Sequence, residues 1–460
     1  MIKNKLISTN PAKNYEVVGS VDISTLSEIK QKVEEAQKTK TLWKELGITK
    51  RLEYVWQIYE KLIEKKKDLI NTIIKETGKS LKDAESELDR YGNNFKWFLE
   101  NGEKSLQDEI TFEDEKIIHK VKYEPMGVAA VITPWNHPFG MFVWGAIPNL
   151  IAGNTVVFKH SEECPLTGKL IEEIINSINL PKGVFSEVYG DGKVGKMLLE
   201  QNINLIWFTG SSAVGKSIYK MAGEKFVKAI LEMGGSNPGI IFEDAQVDRF
   251  IDKLYVKRFS TCGQTCDALK RLIVHKSLFN EVVEKLKLKV EEKVVGYPED
   301  PKTDIGSLVA KRQVELLDAQ VKDAVKKGAQ VITGGKQPKN LHGAFYRPTI
   351  LTKVTKNMRA WSEETFGPVL VVVPFETEEE AITLANDTKY GLGSLIFTND
   401  KKKAKRVAER LEAGTVEINL GNHWLTCNPF GGYKDSGMGR EHGKWGFQEL
   451  TQIKVISSEK

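Results

Sequence analysis

A chain of 460 residues is too long for one compact core, because single cores stop growing near about 250–300 residues, so two or three lobes are expected. Hydrophobic residues make up 40% and charged residues 28%, a balance that excludes wholesale disorder and fibrous repeats, and no stretch approaches the ~18 continuous apolar residues of a membrane helix. The net charge is +5, from 67 basic and 62 acidic residues with interspersed signs, which argues against a nucleic-acid stripe. The triplets Lys65–Lys67 and Lys401–Lys403 fall in amphipathic helical patterns and read as solvated faces. Four cysteines do not make a disulfide framework. The opening Met1-Ile2-Lys3-Asn4-Lys5-Leu6 lacks a signal peptide's apolar core, so a mature, cytoplasmic chain is expected.

The first hundred residues read as mostly helix after a short extended lead-in. Leu26, Ile29, Val33 and Ala36 recur at helical spacing, as do Leu52, Val55, Ile58, Tyr59 and Leu62, then Ile70, Ile73 and Ile74. Residues 111–125 read as half-polar extended chain around an acidic turn, suited to pairing with a sheet edge. Apolar strands then alternate with helices at 128–132, 155–159, 184–189, 204–209 and 227–231, the rhythm of βαβ units and a parallel sheet. A second series follows the glycine hinge near Gly234, with strands at 239–242, 270–275, 330–333, 349–352, 369–374, 393–397 and 414–419. Its helices are expected at 247–258, 277–292, 310–327, 377–387 and 400–412, and segment 445–457 reads as strand wanting a partner.

Gly210–Ser217 fits GxxxxGK[ST] letter for letter, after a strand and before a helix. A phosphate-binding loop would use its N–H groups and Lys216, but no apolar strand ending cleanly in Asp completes a triphosphatase. The weaker reading is a glycine-bounded turn that lets a nucleotide approach the backbone. Cys262 and Cys266 lie four apart with no further ligands nearby to complete a zinc site. The polar Gly263-Gln264-Thr265 run before Cys266 is a poor place for a packing thiol, and a thiolate at the head of a helix would gain from its dipole. Glu232, between Leu231 and Met233 at a strand end, is a desolvated carboxyl suited to a base, or a cap for the hinge backbone. Asn136, bracketed by Pro134 and Pro138, offers an amide donor in a fixed frame, or is a turn residue. Glu364, before a buried strand, could accept from two sugar hydroxyls.

Together these residues resemble the aldehyde dehydrogenase superfamily over essentially the whole chain. The motifs stand in family order: Pro134-Trp135-Asn136, Lys159, Phe208–Ser211, Leu231–Gly235, Gly263–Cys266, Glu364–Pro368, and Pro429–Lys434 with Ser436-Gly437. The resemblance implies an α/β fold: a Rossmann-like dinucleotide-binding domain (1–107 and 126–233), an α/β catalytic domain (234–432), and a small β oligomerisation extension (108–125 and 433–460). It implies Cys266 as nucleophile, Glu232 as general base and Asn136 as oxyanion donor. Ile132, Thr133, Pro134, Trp135, Gly210, Ser211 and Gly215 should line the dinucleotide. Lys159 and Glu162 should hold its adenosine ribose, with Glu364 on the nicotinamide ribose and Phe366 against the nicotinamide. The Lys216-Ser217 pair then becomes a coincidence of letters. No metal is expected.

Three positions depart from the common pattern: Thr261 where many relatives carry Asn, Asp267 after the nucleophile, and His160 after Lys159, as in some short relatives similar to succinate-semialdehyde dehydrogenases. The family's substrate tunnel maps onto His137, Met141, Trp144, Thr265, Asp267, His423, Trp424 and Phe430. An Asp267 facing that tunnel would disfavour an anionic substrate, leaving a neutral aldehyde, small and hydroxylated or aromatic. An Asp267 turned away keeps semialdehydes in play. Glu162 should favour NAD by repelling the 2′-phosphate of NADP, the alternative cofactor. The overall expectation is oxidation of an aldehyde to a free acid through a thioester, by a homodimer or homotetramer. A P-loop-type triphosphatase and an inactive scaffold are the readings of other classes.

Overall fold

The computed structural model describes residues 4–460; Met1–Lys3, which open the expected mature N-terminus, lie outside it. A two-stranded ribbon, Lys5–Asn10 with Glu16–Asp22, precedes four helices, Leu26–Glu45, Gly47–Glu64, Lys66–Thr77 and Leu81–Ser105. Thr25 opens the first helix with a capping box: its hydroxyl accepts from Glu28 N and the Glu28 carboxylate accepts from Thr25 N. Gly78, at φ 70, stops the third helix in the left-handed conformation that glycine takes without strain. Ser80 caps the next helix by accepting from Asp83 N.

Six strands form one sheet in the order 437–438, 228–233, 205–210, 128–132, 155–159, 185–187, and 437–438 is the antiparallel member. The chain winds outward from Val128–Ile132 to one side, then returns to build the other side. Such a reversal opens a crevice at the carboxyl ends of the central strands, where open α/β sheets bind ligands. Helix Pro138–Ala152, buried along its whole length, covers one face with helices 47–64, 66–77 and 81–105, while helices 26–45, 192–199 and 212–225 cover the other.

Strand Lys228–Met233 is the outermost parallel strand of this sheet, and Asn237–Ile241 enters the second after only three residues. The second sheet runs 330–333, 349–352, 369–375, 269–275, 237–241, 393–397, 415–418, parallel except for its first strand. Amino ends of its strands therefore sit next to carboxyl ends of the first sheet: residue 234 leaves one and residue 237 enters the other. A third sheet pairs 109–113, 117–125 and 451–459. Ile110, Phe112, Ile453, Val455 and Ile456 are exposed on it. The structure corrects one expectation here. Residues 443–449 form a helix, packed through Phe447 on the N-terminal helices, and the final strand begins at Thr451.

Candidate active site

Helix Ile251–Phe259 ends where Thr261, Cys262 and Gly263 turn left-handed in succession, at φ 54, 54 and 69. Two of the three carry side chains, a conformation that costs roughly 1–3 kcal/mol each and persists only where the surroundings fix it. The fixing groups are visible. Asp83 Oδ2 accepts from Thr261 N at 3.0 Å, Gln264 Nε2 reaches Thr261 O at 3.3 Å, and Gln264 Oε1 accepts from Val309 N at 3.1 Å. Gly263 lies so near Gly367 that a Cβ would stand 2.5 Å from its carbonyl oxygen. Cys266 follows on an irregular turn that leads into strand Leu269–His275. The expected helix behind this thiol is absent, because the left-handed run breaks the helical path and strand begins three residues later.

The thiol lies within electrostatic reach of the carboxyl of Glu232, the fifth residue of strand 228–233. Burial, opposed in part by the nearby Cys266 thiol, pushes the Glu232 carboxyl up to about 8. Burial and the Glu232 and Asp267 carboxylates push the Cys266 thiol above its ordinary range as well. The pair therefore rests as thiol and carboxyl, and Glu232 becomes a proton acceptor for the thiol only in its ionised form. Asn136, between strand 128–132 and helix 138–152, donates through Nδ2 to the carbonyl of Gln264 at 3.0 Å. An amide carries two hydrogens, so a second donor stays beside the turn that carries Cys266.

At the carboxyl ends of the first sheet, Thr133 N donates to Lys159 O at 3.1 Å, and the buried Thr133 hydroxyl finds no partner among the described residues. Lys159 is buried, donates to His160 O at 3.1 Å and feels the Glu162 carboxylate. Gly210 and Gly215 bound the turn into helix 212–225; Cβ atoms there would stand 2.5 Å from Phe208 and 2.1 Å from Met233. Ser211 caps that helix. Trp135 and Phe366 meet edge to face at 5.5 Å over the crevice's other end. A buried cation, an unpartnered hydroxyl and backbone bare of side chains suit a phosphate-bearing dinucleotide. Lys216, the lysine of the P-loop pattern, is instead exposed and paired with Asp435 at 2.7 Å.

The other wall of the Cys266 turn is aromatic. Trp144 stacks on Trp424 at 5.5 Å and lies 5.9 Å from Phe430, and Met141 belongs to the same buried cluster. Thr265 is half-buried beside the thiol. Asp267 is buried, with Oδ2 accepting from Trp424 Nε1 at 2.9 Å and the Lys257 ammonium 3.9 Å away. His423 Nδ1 meets Glu417 at 2.5 Å, and Glu417 also pairs with Lys253 and Lys257 at 2.6 and 2.8 Å. His137 Nδ1 lies 3.3 Å from the Lys79 ammonium and 3.6 Å from Glu87 Oε2. The ring's Nε2 has no partner among the described residues.

The family model for "Aldehyde dehydrogenase family" matches residues 2–456. The chain belongs to the aldehyde dehydrogenase family. It is 36% identical over 442 residues to a succinate-semialdehyde dehydrogenase [NADP(+)] of Deinococcus radiodurans, covering 96% of this chain and 92% of the relative. It is 36% identical over 450 residues to a glutarate-semialdehyde dehydrogenase of Pseudomonas aeruginosa, covering 97% and 92%. Betaine aldehyde dehydrogenase from Staphylococcus aureus, solved in complex with NAD+, superposes with a TM-score of 0.94 at 33% identity, over 99% of this chain and 91% of that one.

This aldehyde dehydrogenase also uses residues that sequence reasoning passed over. Lys79, buried, pairs with Glu87 and donates to Asn136 O at 2.8 Å; Glu87 Oε1 accepts from Phe139 N and Gly140 N at 3.1 and 3.2 Å. With Asp83, this one helix start holds both the Asn136 loop and the Cys266 turn. Glu441, buried, has both carboxyl oxygens unpartnered among the described residues and interacts electrostatically with Glu232. His442 lies edge-on to Trp144 at 4.1 Å. Lys270 reaches the main chain of Cys266 and the Glu364 carboxylate. The signal available for Lys270 was a charged pair, Lys270-Arg271, inside an otherwise apolar strand. His160, one of the departures, is a buried partner of Glu187 at 2.5 Å.

Proposed function

We propose that this member oxidises a neutral, hydroxylated or aromatic aldehyde to its acid with NAD, using Cys266 as nucleophile and Glu232 as base. The juxtaposition of the Cys266 thiol with the buried Glu232 carboxyl carries the reading. Transfer of the thiol proton to Glu232 would free the sulfur to attack the aldehyde carbon. Charge then develops on oxygen beside the Asn136 amide and the Cys266 N–H, donors worth ~2.7–4 kcal/mol each in such a position. Collapse of this adduct to a thioester releases a hydride equivalent, which a nicotinamide dinucleotide is built to accept. Once Glu232 has released that proton to solvent, it takes one from water, and attack of the resulting hydroxide on the thioester expels the Cys266 sulfur, which recovers a proton as the free acid leaves.

Lys159 and Glu162 would hold the adenosine ribose and Glu364 the nicotinamide ribose. The Glu162 carboxylate favours a 2′-hydroxyl over a 2′-phosphate, hence NAD over NADP. For the aldehyde, the aromatic wall and its charges decide. Lys253 and Lys257 are matched by Glu417 and Asp267, so this side offers no surplus cation to a distal carboxylate. A semialdehyde is the second reading. The semialdehyde dehydrogenases among the relatives favour it, and so does Arg90, whose charge acts on His137. Exposed apolar residues on the 109–125 and 451–459 strands support a homodimer or homotetramer. Among the described residues no helix is long and apolar enough to cross a membrane, and the four cysteines are unpaired, which supports work in the cytoplasm.

Aldehyde-dependent absorbance at 340 nm tests the activity. Wild type should reduce NAD, Cys266→Ser should not, and an ATPase blank should stay flat. Glycolaldehyde, lactaldehyde or benzaldehyde should exceed succinate semialdehyde in kcat/KM; the reverse order selects the second reading.

A further inference from the structure

Lys270 is the second residue of strand Leu269–His275, in the interior of the seven-stranded sheet, and its side chain is 1% exposed. A lysine so placed must satisfy three donors without water. It does so on three different segments. Nζ donates to Gly235 O at 2.6 Å, to Cys266 O at 2.8 Å and to Glu364 Oε1 at 2.6 Å. The same ammonium stands 5.6 Å from the centroid of the Phe366 ring. Glu364 Oε1 also accepts from Gly235 N at 3.1 Å, and Oε2 lies where a Cβ on residue 234 would stand 2.1 Å away. One oxygen of Glu364 is thus fully engaged and the other is pressed toward the hinge between the two sheets.

We propose that Lys270 is a positioning residue that locks the Glu364 carboxylate to the main chain of Cys266, and so sets the distance between the nicotinamide side of the cofactor site and the sulfur. The proposal rests on the reading of Glu364 as the nicotinamide-ribose anchor. Its physical content is a rigid link. The nucleophile turn, the hinge and the 364–366 loop come from separate stretches of chain, and a single cation with charge-assisted bonds joins all three. A group that merely filled space could be replaced by methionine of similar length. A group that places Glu364 cannot, because the carboxylate would then lose its fixed partner and swing. The charge has a second consequence. Lys270 favours the ionised form of Cys266, so its removal should make the thiolate harder to form.

The test is a double-mutant cycle on the full-length enzyme with Lys270→Met, Glu364→Gln and the pair. NADH affinity is read by fluorescence, and iodoacetamide alkylation of Cys266 is followed against pH without cofactor. Each single change should weaken NADH by roughly 10- to 100-fold, as expected for hydrogen bonds to charged groups. The double should be no weaker than the worse single, because the two residues act as one unit. Alkylation in Lys270→Met should need higher pH, and Lys270→Arg, which keeps the charge but not the three-way geometry, should keep the alkylation profile while losing NADH affinity. If Lys270→Met does not fold, Lys270→Gln takes its place in the cycle. Effects that multiply in the double overturn the link alone. Unchanged NADH affinity in Glu364→Gln overturns the ribose reading and the proposal with it. A folded Lys270→Met with wild-type affinity and alkylation overturns the proposal while leaving that reading intact.

Discussion

The indole N–H of Trp424 donates to Oδ2 of Asp267 at 2.9 Å. The carboxylate next to the nucleophile is therefore turned onto the aromatic wall of the aldehyde side, with His423 Nε2 3.7 Å from the same oxygen. Asp267→Asn keeps an acceptor for the indole and removes only the charge. The ratio of kcat/KM for succinate semialdehyde to that for glycolaldehyde should rise about tenfold, the scale of one charge–charge term in a partly open site. Steady-state kinetics on both aldehydes check this, and an unchanged ratio places the substrate's distal end elsewhere.

Glu232 gives a pH prediction. Burial raises its carboxyl to about 8, so its basic form appears as pH rises through that value. The hydrolytic step should accelerate from pH 6.5 toward 9 with its midpoint near about 8. Glu232→Gln should remove this limb and slow turnover by roughly 10²–10⁴-fold, the usual worth of a general base. If acylation survives, a stoichiometric burst of NADH precedes the slow phase. Rapid-mixing absorbance separates the two steps, and a wild-type limb midpoint below 6 contradicts the assignment.

Both sheets were legible in the sequence because buried parallel strands read as short apolar runs between helices, as at Val128–Ile132 and Val369–Phe375. The proposed catalytic trio stood out because each member breaks a local rule: Glu232 is charged inside an apolar strand, Cys266 follows a polar run, and Asn136 sits between prolines. What stayed hidden acts at long range. Asp83 bonds Thr261 across 178 positions, and Lys79 bonds Asn136 across 57. Nothing in Thr261-Cys262 encodes left-handed backbone, so that run could not be read. The helix at 443–449 was mistaken for strand because Trp445 and Phe447 alternate with smaller residues, while only Phe447 is buried.

The Lys79–Glu87 pair supplies a stability prediction. Both side chains are almost fully buried, and each also holds backbone of the Asn136 loop. Lys79→Met leaves a buried carboxylate without its partner, which costs about 3–5 kcal/mol. Lys79→Met with Glu87→Leu removes both charges and should recover part of that loss, but not the activity, because the Asn136 carbonyl and the Phe139 and Gly140 N–H groups stay unanchored. Urea unfolding and kcat on the single and double variants check both halves. A single variant within 1 kcal/mol of wild type, a threshold well below the expected ~3–5, would falsify the bracing role.

His442 makes stability depend on pH in a defined direction. Burial, reinforced by the neighbouring His423, lowers its imidazole to about 3 from an ordinary 6.5. His137 is lowered to about 4, first by burial and then by the Lys79 charge. A histidine depressed by folding takes up its proton only on unfolding, so its contribution is present above pH 6.5 and is lost as pH falls toward the folded value. Each such group adds a slope of up to ~1.4 kcal/mol per pH unit between those limits. Each of the two histidines should therefore lower the unfolding free energy between pH 7 and 5, against the opposite contribution of the raised Glu232 and Glu441 carboxyls. His442→Phe, which keeps an aromatic ring against Trp144 and Phe430, should flatten that drop by close to one proton's worth while leaving pH 7.5 stability little changed. Urea titrations at pH 7.5, 6 and 5 measure it, and a His442→Phe curve parallel to wild type shows that the imidazole is protonated equally in both states.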